Sequence, residues 1–253
     1  MINPMNLSGK LYLVTGASQG LGRQVCITLS QLGAKVVLIA RNIDKLKETL
    51  ALMDSNEHAI FPLDMNEVDH IEPLVKSVVA QCGKLDGFVH CAGIGTPKPL
   101  GLTKYEFMQE MMRIHLFSFV EFVRVISKKQ NSNPGGGIVA VSSAGTRHSD
   151  KGKVAYAATK GSLDAVVLPM AIELGESKKI RVNTVNPGWI KTDMYYGYIE
   201  EFGEDKMKEI EDKHFLGASE PEEVANVIAF LLSDATTKIT GQSIVIDGGW
   251  TIW

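Results

Sequence analysis

The chain has 253 residues, 45% of them hydrophobic, and this length and composition predict a single domain with a substantial core. Its formal net charge of −3, without any basic block, excludes nucleic acid as an expected partner. Cys26, Cys82 and Cys91 are isolated, which excludes a disulfide framework or a zinc site, and the absence of a signal segment or an apolar run of membrane-spanning length predicts a cytoplasmic protein.

Short apolar runs alternate with helical patterns along the whole chain. The runs predict strands at 11–14, 35–40, 58–64, 85–93, 138–142, 180–186 and 240–249. The helical patterns lie before Gly33 and at 68–82, 103–129 (with Thr103 as N-cap), 156–175 and 222–233. Residues 131–137, which include Pro134 and three glycines, predict a surface turn. This alternation predicts an α/β fold with a doubly wound, mostly parallel sheet in one domain, 1–253.

A glycine-rich turn follows the first predicted strand and consists of Gly16, Ser18, Gln19, Gly20, Leu21 and Gly22 with their neighbours. The first glycine permits a tight turn, the second lets the backbone approach a pyrophosphate, and the third lets the helix pack against the sheet. The N-terminus of the following helix favours an anion. The turn therefore predicts a dinucleotide site, against the alternative of an ordinary connection between strand and helix.

The end of the second predicted strand indicates which cofactor is bound. A site specific for NAD usually has a carboxylate there, whereas this chain has Ala40 followed by Arg41 and Asn42. Arg41 offers a positive fork that suits phosphate oxygens, and no carboxylate repels a 2′-phosphate. We therefore predict that NADP(H) is preferred over NAD(H). The alternative for Arg41 is a solvated residue at a strand end.

Three polar residues around the fifth predicted strand suggest carbonyl chemistry. Tyr156 and Lys160 are four residues apart, so a helix places them on one face. A neighbouring ammonium favours the phenolate and moves the phenol toward working pH. Ser143, at the strand end, can hydrogen-bond the same substrate oxygen. The pattern Tyr-x-x-x-Lys is weak on its own, and its order among the other motifs gives it weight.

The segment 193–217 departs from the alternation of strands and helices. It is rich in tyrosine and in charged residues of both signs, and it follows the sixth predicted strand. A long segment at this place predicts a lid over the substrate. A solvated helical hairpin is the alternative.

Taken in order, these motifs resemble those of the short-chain dehydrogenase/reductase family, in its short single-domain branch, from about residue 7 to residue 249. The resemblance implies that Ser143, Tyr156 and Lys160 are catalytic and that Tyr156 and Lys160 also bind the cofactor. It implies a homotetramer or homodimer, and a moderate NADP preference because Gln19 stands where relatives often have a second basic residue. It assigns further cofactor contacts to Asp64, Met65, Cys91, Gly93, Pro187, Gly188, Ile190 and Thr192.

Two positions depart from the family pattern. The usual Asn-Asn-Ala-Gly after the fourth strand is replaced by His90-Cys91-Ala92-Gly93. His115 stands where an asparagine usually helps to hold a water for a proton relay through the lysine. Histidine can also hydrogen-bond, so we assign His115 to the catalytic set, with a packed helix residue as the equal alternative.

These observations predict an NADPH-linked oxidoreductase that interconverts a carbonyl and a secondary alcohol, with no metal. A non-catalytic nucleotide-binding module is the alternative, because of His115. A serine hydrolase using Ser143 and His148 would need glycine at Val141, and a sugar epimerase of the larger branch would need more than 253 residues. The substrate is a small molecule that the lid does not identify: sugars, acyl thioesters, steroids and small ketones all fit.

Overall fold

A computed structural model describes residues 3–54 and 57–252 of the chain. The strands are β1 Leu11–Thr15, β2 Lys35–Ala40, β3 Ala59–Pro62, β4 Leu85–His90, β5 Ser132–Val141, β6 Arg181–Pro187 and β7 Ser243–Ile246. Within the described residues these parallel strands form one sheet in the order β3-β2-β1-β4-β5-β6-β7, which confirms the predicted doubly wound architecture. The order reverses between β1 and β4, where such sheets bind ligands.

Helices cover both faces of the sheet, so each face has its own core. The helices are α1 Gly20–Gln31, α2 Ile43–Ala51, α3 Ile71–Cys82, α4 Tyr105–Met112, α5 Ser118–Ile126, α6 Val154–Lys178, α7 Asp193–Phe202, α8 Glu204–Glu211 and α9 Pro221–Leu232. Leu13 of β1 lies in the core under α3, α5 and α6, and its neighbour Val14 lies in the core under α1 and α9, because side chains alternate along a strand. No helix among the described residues is long and apolar enough to span a membrane.

The prediction of a surface turn at 131–137 is wrong for most of its length. Strand β5 begins at Ser132 and pairs with β4 through a register shift between Leu85 and Gly87. A Cβ on Gly87 would lie 2.2 Å from the carbonyl oxygen of Gly137. The glycines there allow two strands to approach closely, and they do not end the strand.

The predicted helix at 103–129 is shorter and interrupted. Helix α4 begins at Tyr105 with Lys104 as N-cap, so Thr103 is not the cap, and α5 ends at Ile126. A π-helical turn, Arg113–Phe117, separates the two helices. Such turns are often found at functional sites, and this one contains His115.

Candidate active site

A cleft of about 540 Å³ lies where the strands of the sheet end at their carboxyl termini. It is lined by every predicted site residue except His115, namely Gly16, Ser18, Gln19, Gly20, Leu21, Gly22, Arg41, Asn42, Asp64, Met65, Cys91, Gly93, Ser143, Tyr156, Lys160, Pro187, Gly188, Ile190 and Thr192. The structure therefore brings residues from six strand ends to one surface.

The glycine turn after β1 has the geometry that a pyrophosphate site requires. Gly16 has φ +69°, and a Cβ there would lie 2.8 Å from the Ala92 nitrogen. A Cβ on Gly22 would lie 2.2 Å from the Gly16 carbonyl oxygen. The first turn of α1 contains no acidic residue, so the positive end of this helix is open to an anion. These features fit a bound dinucleotide.

Two cations border the cleft at the end of β2. The Arg41 side chain is 69% exposed, and its nearer guanidinium nitrogen lies 3.8 Å from an Asp64 carboxylate oxygen. Lys45 donates a hydrogen bond of 2.9 Å to Gln19. Asn42 caps α2, because its side-chain oxygen accepts from the backbone N–H groups of Asp44 and Lys45, each at 3.0 Å. Sequence reasoning missed Lys45, which comes beside Gln19 only through the fold.

The three proposed reacting groups meet at the other end of the cleft. Ser143 Oγ accepts from the Gly145 N–H at 3.0 Å, and a Cβ on Gly145 would lie 3.1 Å from this oxygen and 4.0 Å from the Tyr156 ring. The Lys160 ammonium donates to the Val141 carbonyl at 2.7 Å and lies 5.9 Å from the centre of the Tyr156 ring. These contacts hold the hydroxyls and the ammonium on one side of α6.

The pKa of Tyr156 departs from the sequence-based expectation. Burial raises this pKa, and the hydrogen bond with Ser143 only partly opposes the rise. Burial also lowers the pKa of Lys160 to about 8. The expected lowering of the Tyr156 pKa by Lys160 is not seen, because burial dominates and Lys160, with a pKa of about 8, loses its charge before the phenol ionises.

His115 lies behind the cleft, with both ring nitrogens bonded to the protein. Nε2 accepts from the Ile94 N–H at 2.9 Å, so Nδ1 bears the proton and donates to the Thr159 hydroxyl at 2.8 Å. Thr159 in turn donates to the Tyr156 carbonyl at 3.0 Å. A Cβ on Gly93 would lie 3.0 Å from His115 Nε2. Because both ring nitrogens are bonded to the protein, this geometry does not fit a ring that holds a relay water. The His115 ring instead links the loop after β4 to α6.

A buried polar network that sequence reasoning missed supports Ser143 from behind. Asp164 lies one turn after Lys160 on α6 and accepts from Asn186 Nδ2 at 2.9 Å and from the Thr184 hydroxyl at 2.8 Å. Asn186 Nδ2 also lies within 3.2 Å of the Ser143 carbonyl. The available signal was an acidic residue four positions after Lys160, which places it on the same helix face.

The segment 193–217 forms helices α7 and α8, and among its described residues the first turn lines the cleft, through Asp193, Met194 and Tyr195. Trp250, from the C-terminal segment, also lines the cleft.

His148 is exposed, its ring packs edge-on against Trp250 at 5.3 Å, and no hydrogen bond joins its side chain to Ser143 in the described parts of the chain. That arrangement gives the hydrolase alternative no base.

Known proteins match the chain over nearly its whole length. A sequence model of the family described as enoyl-(acyl carrier protein) reductase matches residues 16–251. The 7alpha-hydroxysteroid dehydrogenase of Escherichia coli K12 is 30% identical over 247 residues, covering 97% of this chain and 95% of that protein. The 3-oxoacyl-(acyl-carrier-protein) reductase of Thermotoga maritima is 33% identical over 252 residues, covering 98% and 100%. A solved short-chain type dehydrogenase/reductase from Mycobacterium ulcerans has a TM-score of 0.87 at 32% identity, covering 98% of this chain and 91% of that one.

Proposed function

The chain belongs to the short-chain dehydrogenase/reductase family of NAD(P)-dependent oxidoreductases, and we propose that it interconverts a small carbonyl compound and a secondary alcohol with NADP(H). One observation carries the proposal: Ser143, Tyr156 and the Lys160 ammonium lie together at the end of a cleft that also has a pyrophosphate turn. Location in the cytoplasm and assembly as a homotetramer or homodimer stay predictions.

Proton transfer is assigned to Tyr156. Burial keeps its phenol protonated at neutral pH, and a protonated phenol is the form that gives a proton to a carbonyl oxygen. Ser143 donates to the same oxygen and orients it. When bound, the nicotinamide ring supplies the hydride that completes the reduction. Lys160, positively charged below pH about 8, stabilises the phenolate that Tyr156 becomes and is placed to bind the nicotinamide ribose.

Cofactor choice is assigned to the end of β2. Arg41 and Lys45 border the cleft there, and β2 itself ends at Ala40 rather than at a carboxylate. Two cations near one site attract the additional charge of a 2′-phosphate. Asp64 lies 3.8 Å from Arg41 and partly offsets its charge, which supports a preference that is moderate.

The lid is assigned to 193–217. Tyr195, Met207 and Ile210 form a small core of their own, against which Trp189 and Tyr198 pack. This core is separate from the two cores that stabilise the sheet, so the segment can move as a unit over the cleft.

Replacement of Tyr156 by phenylalanine tests the function. Because Tyr156→Phe removes the proton donor and little volume, we expect reduction of any accepted ketone to fall by at least ~100-fold while NADPH binding persists. Tyr105→Phe, at a 70% exposed tyrosine outside the cleft, is the matched control. Activity of Tyr156→Phe near that of the parent would overturn the assignment. Cofactor binding by the parent without turnover of any ketone or alcohol would favour the non-catalytic alternative.

A further inference from the structure

One cation in the cleft has no task in the reaction described so far. Lys153 precedes α6 by one residue and Tyr156 by three, so its side chain lies on the same side of the helix start as Tyr156. It lines the cleft together with Tyr156, Ser149 and Asp150.

Two aromatic rings flank the Lys153 ammonium. Nζ lies 5.6 Å from the centre of the Tyr156 ring and 5.9 Å from the centre of the Trp189 ring, distances at which a ring face attracts a cation. Trp189 packs against the lid, with the ring of Tyr198 at 5.0 Å and that of Tyr195 at 6.2 Å. The ammonium is therefore held beside the proton donor.

The ammonium of Lys153 makes no hydrogen bond and no ion pair with any residue that the structure describes. Other lysines of the cleft differ: Lys45 donates to Gln19 and Lys160 to the Val141 carbonyl. Burial lowers the pKa of Lys153, and the nearby carboxylate of Asp150 opposes this without reaching ion-pair distance. A cation partly removed from water without a partner costs free energy, and an incoming anion removes that cost.

We propose that Lys153 binds a carboxylate of the substrate, so that the enzyme reduces a short oxo acid to the hydroxy acid. This inference rests on the proposed function, because Ser143 and Tyr156 fix where the reacting oxygen lies. The carbonyl carbon gains a hydride, its oxygen gains the proton of Tyr156, and the carboxylate keeps its charge throughout. Lys153 neither gains nor loses a proton and acts only in binding.

The test compares an acid with its neutral ester in the same protein. The probes are 3-oxobutanoate and 4-oxopentanoate, each beside its methyl ester, with NADPH oxidation as the readout. We expect the parent to prefer the acids. Lys153→Met should lower the ratio of kcat/KM for acid over ester by about 10- to 100-fold, the size of a charged hydrogen bond. Lys153→Arg should retain most of the preference for the acids. Lys151→Met, at an exposed lysine two residues away and outside the cleft, should keep the parent ratio.

Binding without turnover provides a second readout. Titration of 3-hydroxybutanoate against the fluorescence of Trp189 and Trp250, which both line the cleft, should show weaker binding to Lys153→Met than to the parent. Equal acid-to-ester ratios in parent and Lys153→Met, or equal affinities in the titration, would overturn the proposal. So would a Lys153-dependent rate with dihydroxyacetone phosphate and none with the acids. If the esters are still reduced and Tyr156→Phe abolishes that reduction, the proposed function stands although the carboxylate site has failed.

Discussion

Two buried histidines should make the stability of this protein depend on pH. His90 and His115 are fully buried, His90 bonded through Nδ1 to Thr15 at 2.9 Å and His115 bonded through both nitrogens. Burial, followed by the charge of Lys160, lowers the pKa of His90 to about 3 and that of His115 to about 2. In the unfolded chain both should return to the ordinary imidazole pKa of ~6.5.

The direction in which stability changes with pH depends on how many protons the unfolded and the native chain bind. Below pH ~6.5 the unfolded chain takes up a proton on each histidine while the native chain does not, so the free energy of unfolding falls as the pH falls. Once the unfolded forms are fully protonated, each histidine lowers the free energy of unfolding by about 1.4 kcal/mol per pH unit, and the pair lowers it by about 2.7 kcal/mol per pH unit. The loss ends only as the pH approaches the native values of about 3 and 2.

Urea unfolding between about pH 5 and 7.5 measures this slope. His90→Asn and His115→Asn should each reduce the slope, by about 1.4 kcal/mol per pH unit near pH 5 and by about half of that at pH 6.5, whatever they do to stability at neutral pH. His148→Asn, at an exposed histidine, is the matched control. Carboxylates also titrate in this range, so the difference in slope between parent and variant is the readout. A slope that neither buried substitution changes would refute the reasoning.

The other predictions concern turnover, cofactor choice and assembly. His115→Leu leaves the Ile94 N–H without its partner and should slow turnover more than His115→Asn, which can keep one of the two bonds; equal steady-state rates would reduce the ring to packing. Arg41→Ala and Lys45→Ala should each weaken the preference for NADPH over NADH, measured by fluorescence titration as a difference in binding free energy, by about 1.5–3 kcal/mol. An unchanged preference would contradict the assignment of the 2′-phosphate site. Leu168 and Ile172 lie one turn apart on α6 and are 56% and 62% exposed, so Leu168→Glu with Ile172→Glu should dissociate a tetramer or dimer in sedimentation; a parent that is monomeric and fully active would remove that inference.

The fold could be predicted because helices cover both faces of its sheet. All of residues 36–40 in β2 are buried, so the strand reads as a continuous apolar run, which is the pattern of a central parallel strand. The turn after β1 was equally readable, since a positive φ at Gly16 and the close contact at Gly22 both require glycine. These signals are local, and local signals are what a single sequence contains.

Features that depend on distant partners could not be predicted. The stretch 131–137 has the composition of a turn, and it becomes strand because Gly87 of β4 offers a partner that accepts close approach. The π-helical turn has no mark in the sequence, and the bonds of His115 run to Ile94 and Thr159 on two other elements. The lysine beside Gln19 was missed for the same reason.

The pKa of Tyr156 shows the same limit within the site itself. Along the sequence the obvious neighbour is Lys160, and its charge predicts a lowered pKa. In the fold the phenol is removed from water, and Lys160, with a pKa of about 8, is neutral before the phenol ionises, so burial dominates and raises the Tyr156 pKa. A protonated phenol is a proton donor, which suits the resting site to reduction of a carbonyl. The charge of Lys160 then stabilises the phenolate left by that transfer.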